Sequence, residues 1–113
     1  MKRLIFSVVM LLMACCQPAA ASEFGGTVLR VVCHVQDVAS ICQVAVNGVA
    51  PTVDCVTSSW RYSFAANTPE GKNVLAILLT AQASHLSIVI GGKGSCALSG
   101  GSEDLRHVYI VTP

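Results

Sequence analysis

Cysteines are the residues with the plainest chemistry in this sequence, and two of the six lie in the N-terminal segment that is treated below. The other four are Cys33, Cys42, Cys55 and Cys96. An even number of cysteines in a small exported domain indicates disulfides, and four cysteines can pair in three ways. The strands that carry these residues decide among the three.

Two predicted strands place one pair of cysteines opposite each other. Period-2 alternation predicts strands over 27–35 and 41–46, with Leu29, Val31, Cys33 and Val35 sharing one inward face. A tight turn at 36–39 then sets Cys33 directly opposite Cys42, where Cβ atoms lie ~4.5–5.5 Å apart. We therefore predict a Cys33–Cys42 bridge inside a hairpin and a long-range bridge between Cys55 and Cys96.

The segment Trp60-Arg61-Tyr62 is the most typical of a ligand-binding site. Exposed aromatic rings stack on sugars, and arginine presents a planar fork of donors to hydroxyl or carboxylate groups. Trp60 and Arg61 are therefore candidate ligand contacts, as is Asp37 at the hairpin tip. The alternative is structural: Trp60, Tyr62 and Phe64 share one face of a strand over 60–65 and can form core, and Asp37 can be a turn residue.

The residue pattern argues against catalysis and against a metal. Cys33 and His34 are adjacent in a strand, so they point to opposite faces and cannot easily share a zinc ion. The sequence has no nucleophile elbow, and the glycines at 92 and 94 are not followed by the helix of a dinucleotide site. We expect no enzyme, no metal and no cofactor, with His107 a half-exposed strand residue.

The N-terminus predicts export. Basic residues at 2–3 precede an apolar run over 4–14, which is too short to cross a bilayer, and small residues at 19–21 suit cleavage before Ser22. We therefore predict a signal peptide over 1–21 and one secreted or periplasmic domain over 22–113, without a transmembrane segment. A competing cleavage before Cys15 would leave this cysteine to be lipidated and would make the protein a lipoprotein.

The charge of the predicted mature chain is close to balanced. Its net charge is −1, because five of the seven basic residues remain against six acidic residues. There is no basic patch, so nucleic acid and anionic membranes are excluded as expected partners. A surface with so few charges is easier to bury against a partner than to keep soluble alone.

The predicted helix over 69–83 is apolar on more than one side. Asn67 or Thr68 can cap it, and Pro69 suits its first turn. Its apolar arc is roughly 200° wide, whereas a helix on one sheet needs little more than ~100°. A neighbouring subunit could cover the excess, and the candidate interface residues are Leu75, Ala76, Leu79 and Thr80. The alternative is a compact core that covers Leu75 and Leu79 with a loop.

The order of elements predicts an α+β, mainly β fold. Further strands are expected over 86–90 and 105–111, so the single helix falls between the third and fourth of five strands. This order is that of the OB-fold, a five-stranded, partly open barrel.

The stretch over 60–96 resembles bacterial toxin B subunits of the pentameric, glycan-binding kind and small exported bacterial proteins related to them. The resemblance is carried by Tyr62-Ser-Phe64, Thr68-Pro-Glu-Gly-Lys72, Thr80-Ala-Gln-Ala-Ser84, Ser87-Ile-Val-Ile90 and Gly94-Ser-Cys96. It implies a ring-shaped homopentamer with helices near the central axis, barrel rims that bind carbohydrate, and a secreted A subunit as a further partner.

The function expected from the sequence is a secreted or periplasmic, non-catalytic binding module that acts as a glycan-binding homo-oligomer. The alternative is a monomeric exported protein that inhibits or scaffolds another protein through its neutral surface.

Overall fold

A computed structural model describes residues 21–35 and 40–112 of the chain. The predicted signal peptide up to residue 20, including Cys15, lies outside the described residues, and so does Asp37. The described elements are β1 (Glu23–His34), β2 (Ile41–Asn47), β3 (Tyr62–Ala65), α1 (Pro69–Ser84), β4 (Ser87–Gly92) and β5 (Glu103–Ile110).

The five strands form one sheet that closes on itself in the order β1-β2-β3-β5-β4. The pairings are antiparallel except that of β3 with β5, which is parallel and joins Tyr62 to Glu103 and Ser63 to Asp104. The helix α1 lies between β3 and β4 in the chain. The predicted OB-like architecture, mainly β with one helix after the third strand, is confirmed.

Strand β1 is longer than predicted and serves two neighbours. Its first part, from Glu23 to Thr27, pairs with β4, and its second part pairs with β2. The prediction began four residues later, because Gly25 and Gly26 weaken the strand signal. Gly26 is required by close packing, since a Cβ at this position would lie 2.0 Å from the Asn47 carbonyl oxygen.

A β-bulge corrects the predicted face of β1. The register with β2 shifts between Val28 and Arg30, so Val28 and Val31 both pack against the core while Leu29 is exposed. The prediction that Leu29 and Val35 share the inward face is wrong. An extra residue in a strand reverses the alternation on one side of the bulge.

Both disulfides form as predicted. Cys33 lies opposite Cys42 in the β1–β2 register, with their Cα atoms 4.0 Å apart. The Cys55–Cys96 bridge joins Cα atoms that are 6.0 Å apart. Cys42 is buried, whereas Cys33 is exposed near the end of β1.

Helix α1 closes one side of the hydrophobic core. The Thr68 hydroxyl accepts a hydrogen bond from the Gly71 N–H at 3.0 Å and caps the helix. The helix ends at Ser84, and the C-cap residue His85 that follows has a left-handed conformation (φ 52°). The helix buries Leu78 and Ala81. The core cluster consists of Cys42, Val44, Tyr62, Phe64, Leu78, Ala81, Ile88, Ile90, Leu105 and Val108.

Candidate functional site

The aromatic-basic segment at 60–62 faces inward more than it faces solvent. Tyr62 and Phe64 belong to the core, which confirms the structural alternative for these two residues. Trp60 precedes β3 and is half-buried, with the Arg30 guanidinium 4.8 Å above the centre of its ring. This distance is that of a cation–π contact. Trp60 therefore already has a cation on its ring.

Arg61 is held by the chain itself. Its Nη2 donates a hydrogen bond to the Pro51 carbonyl and lies 3.8 Å from Glu103 Oε1. The side chain is 14% exposed. Arg61 therefore has little surface left for a ligand, and it does not form one open site with Trp60.

The predicted interface on α1 is only partly open. Leu75 packs against the chain's own core, as the compact alternative expects. Ala76, Leu79 and Thr80 are exposed, and the Thr80 hydroxyl donates to the Ala76 carbonyl at 2.7 Å. The part of the helix surface around these three residues is therefore exposed and uncharged.

The outer face of β2 and β3, where OB-folds commonly bind their ligands, is covered by loops. Gln43, Ala45 and Ser63, which alternate with the core residues of these strands, are all buried. The Gln43 amide donates to the hydroxyls of Ser99 and Ser102 at 3.2 and 3.0 Å. The disulfide between Cys55 and Cys96 joins the two covering loops.

The outer face of the sheet is open at a different place, where β4 pairs with β1 on one side and with β5 on the other. Tyr109 is 52% exposed there, and its ring stacks on that of His107 with 6.4 Å between centroids and 24° between planes. Across the β4–β5 pairing, Val89 lies opposite Tyr109 and Gly91 lies opposite His107. The Tyr109 ring is thus open to solvent, and the His107 ring packs on Gly91, where a Cβ would come within 2.9 Å of it.

Charged groups border the two rings. Glu23 Oε2 lies 2.7 Å from His107 Nε2 and 3.9 Å from Arg106 Nη2. Arg106 Nε donates to His107 Nδ1 at 3.3 Å, so a proton on Nε2 lets the imidazole satisfy both neighbours. We call Glu23, Val89, Gly91, Arg106, His107 and Tyr109 together the Tyr109 face.

The sequence contained part of this site. His107 is half-exposed on a strand, as predicted, and strand alternation puts Tyr109 on the same side of β5. Glu23 was missed because the first strand was predicted to begin at residue 27. Glu23 joins the site by pairing with Gly91, which is far away in the sequence.

A groove of about 530 Å³ lies elsewhere, between the first turns of α1 and the start of β5. Its lining includes Phe64, Val74 and Leu105 as apolar residues and Glu70, Lys93 and Arg106 as charged ones. The charged side chains that line this groove are of both signs.

No cluster of three His, Cys, Asp or Glu side chains able to hold a metal ion occurs within 21–35 and 40–112. In the same ranges, no helix has the length and apolar character needed to cross a bilayer. Comparison with protein-family models, with curated proteins and with solved structures gave no match to this chain.

Proposed function

We propose that this protein is an exported, non-catalytic module that binds carbohydrate through the Tyr109 face. The observation that carries the proposal is the half-exposed Tyr109 ring, stacked on His107 and bordered by the Glu23 carboxylate and the Arg106 guanidinium. A sugar offers an apolar C–H face to an aromatic ring and hydroxyls to charged groups at its edge. The Tyr109 face has both components within one patch.

Export is the first part of the proposal. It is supported by the basic and apolar N-terminal pattern, which is typical of a signal peptide, and by two disulfides in a chain of 113 residues. Disulfides persist in oxidising compartments such as the periplasm and the cell exterior.

Self-association is the second part. The outward surface of α1 carries Ala76, Leu79 and Thr80. Leu29 is exposed on the β-bulge of β1. The Leu29 carbonyl accepts a hydrogen bond from Gln82, which lies one helical turn after Leu79. A small, neutral surface with two exposed leucines suits packing against another copy. Several Tyr109 faces on one assembly would then raise the avidity for a clustered glycan.

A glycan array probed with oxidised, exported protein tests the proposal. We expect specific spots that Tyr109→Ala abolishes and that Tyr109→Phe retains, since phenylalanine keeps the ring. Val49→Ala is the control, because Val49 is an exposed apolar residue that lies outside both the Tyr109 face and the proposed contact between copies. A blank array, or binding that survives Tyr109→Ala, would contradict the proposal.

A protein partner is the second candidate function. The exposed Leu29 and Leu79 favour it, because an apolar surface on a monomer is also suited to protein recognition. Capture of one protein at a fixed stoichiometry by the monomeric chain, lost in Leu79→Glu, would support an inhibitor or scaffold in place of a glycan-binding module.

A further inference from the structure

A carboxylate with 0% side-chain exposure, that of Glu103, lies where β5 begins. It accepts a hydrogen bond from the Gly94 N–H at 2.9 Å, and it contacts Ser22 through the hydroxyl at 2.5 Å and the backbone nitrogen at 3.3 Å. The site is shaped for this group, because a Cβ at Gly92 would come within 2.0 Å of Glu103 Oε2.

Ser22 is almost as fully buried as the Glu103 carboxylate that it contacts. The residue is 1% exposed, its hydroxyl lies 2.5 Å from the Tyr62 hydroxyl, and its carbonyl accepts a hydrogen bond from the Gly92 N–H at 3.0 Å. Ala21, immediately before it, is exposed. The chain therefore enters the folded domain at the peptide bond between these two residues.

The Glu103 carboxylate has little compensating positive charge around it. An ionised carboxylate without water is costly unless a cation pairs with it and donates hydrogen bonds. Arg61 Nη2, at 3.8 Å, is close enough for attraction, but it donates its hydrogen bond to the Pro51 carbonyl. A cation that donates directly to Glu103 would complete the site.

We propose that signal-peptide cleavage before Ser22 creates this cation, and that the new α-ammonium group of Ser22 forms a buried ion pair with Glu103. Water hydrolyses the Ala21–Ser22 peptide bond in a signal peptidase, leaving a carboxylate on Ala21 and an ammonium group on Ser22. One amide N–H is thereby replaced by three donors and a positive charge at the atom that already lies 3.3 Å from Glu103 Oε2.

Two independent observations meet at Ser22. The small residues at 19–21 predict cleavage before it, and the geometry places its backbone nitrogen beside a buried carboxylate. Since Ser22 is almost inaccessible in the fold, cleavage precedes its docking. Lipoprotein cleavage at Cys15 would leave an amide in this position. The inference rests on the proposed export and does not depend on carbohydrate binding.

Two measurements on protein exported from the full precursor test the ion pair. Intact mass and N-terminal sequencing should show a mature chain that begins at Ser22. An amine-reactive label at neutral pH should then modify the α-amine at least about tenfold more slowly in the native protein than in urea, because reaction requires local opening. A different first residue, or equal labelling in both states, would overturn the inference.

Glu103→Gln keeps the shape of the side chain and removes its charge. We expect it to accelerate labelling of the native α-amine, whereas Glu70→Gln, which removes an exposed carboxylate from the first turn of α1, should leave the rate unchanged. Protection that is the same in Glu103→Gln as in the parent contradicts pairing. If Glu103→Gln does not fold, the two measurements on the parent still decide. Retention of the leader would also refute export, whereas an unprotected amine at Ser22 would refute the ion pair alone.

Discussion

Asp104 organises the loop that follows β4. Its carboxylate accepts hydrogen bonds from the Ala97 and Leu98 N–H groups at 3.0 Å and from the Ser95 hydroxyl at 2.7 Å. Burial opposes ionisation of this group, but the hydrogen bonds from Leu98, Ala97 and Ser95 and the charge of Lys93 outweigh it and hold its pKa below the usual 3.8. The ionised form therefore stabilises the loop.

Asp104→Asn should destabilise the protein near neutral pH by about 1–3 kcal/mol, because a group that only accepts is replaced by one that presents donors to N–H groups. A carboxyl with a depressed folded pKa contributes stability above its unfolded pKa of 3.8, and this stability is lost as the pH falls through the lower folded pKa. Thermal unfolding of both proteins from about pH 7 to about pH 2 checks the sign.

The expected result is a gap in Tm that is wide at neutral pH and narrows in acid. Asp54→Asn is the matched control, since Asp54 is exposed, and it should leave Tm nearly unchanged. A gap that stays constant across the whole pH range would show that the charge of Asp104 is not what stabilises the loop.

At the scale of elements, two loops decide which face of the sheet is open. The segment between β2 and β3 and the segment between β4 and β5 meet over β2 and β3, where the N–H groups of Thr57 and Ser58 donate to the Gly101 carbonyl at 3.0 and 3.1 Å. The Cys55–Cys96 bridge closes a loop with a sequence separation of 41. Because these loops occupy the outer face of β2 and β3, we place the proposed ligand site on the Tyr109 face.

Replacing both Cys55 and Cys96 by Ser should lower the free energy of unfolding by about 3–4 kcal/mol in the chain-entropy picture. Replacing both Cys33 and Cys42, which are separated by 9 residues, should cost less through chain entropy, about 2–3 kcal/mol, although it also alters the buried Cys42. Denaturant unfolding gives both values.

Hydrogen exchange supplies the local readout for the same pair of variants. Loss of Cys55–Cys96 should accelerate exchange at the amides of Thr57 and Ser58, because these donate to the opposite loop. Loss of Cys33–Cys42 should leave them protected. Unchanged exchange at Thr57 and Ser58 after loss of Cys55–Cys96 would mean that the loops cover β2 and β3 without the disulfide.

At the scale of the whole molecule, the exposed apolar surface of α1 bears on self-association. The helix wheel predicted an excess of apolar surface, and the packing of Leu75 onto the core removes part of that excess. What remains is Leu79 with the small residues Ala76 and Thr80. The exposed Leu29 adjoins the same helix, because its carbonyl accepts a hydrogen bond from Gln82. This surface is a candidate contact between copies of the chain.

Light scattering behind a sizing column should therefore report a homo-oligomer of the mature, oxidised protein. Leu79→Glu should dissociate it, since a charge on the contact cannot be buried without a partner. Lys72→Glu is the matched control, because Lys72 is exposed on α1 but is not one of the proposed interface residues. A parent protein that elutes as a clean monomer would contradict self-association and would favour the protein-partner function.

The sequence by itself determined what depends on neighbours along the chain. The Cys33–Cys42 bridge follows from period-2 alternation across a short turn, and the start of α1 follows from its cap at Thr68. The inward position of Tyr62 and Phe64 follows from the same alternation. Each of these features arises from interactions within a few residues, where backbone geometry leaves few choices.

The tertiary structure decided what depends on residues far apart in the chain. The bulge at Leu29 adapts β1 to two neighbours at once, and the early start of β1 at Glu23 follows from pairing with β4. The same pairings place Glu23 beside His107 and Ser22 beside Glu103, 81 residues away. These contacts exist because the sheet closes on itself, and no local pattern specifies which distant strands will meet.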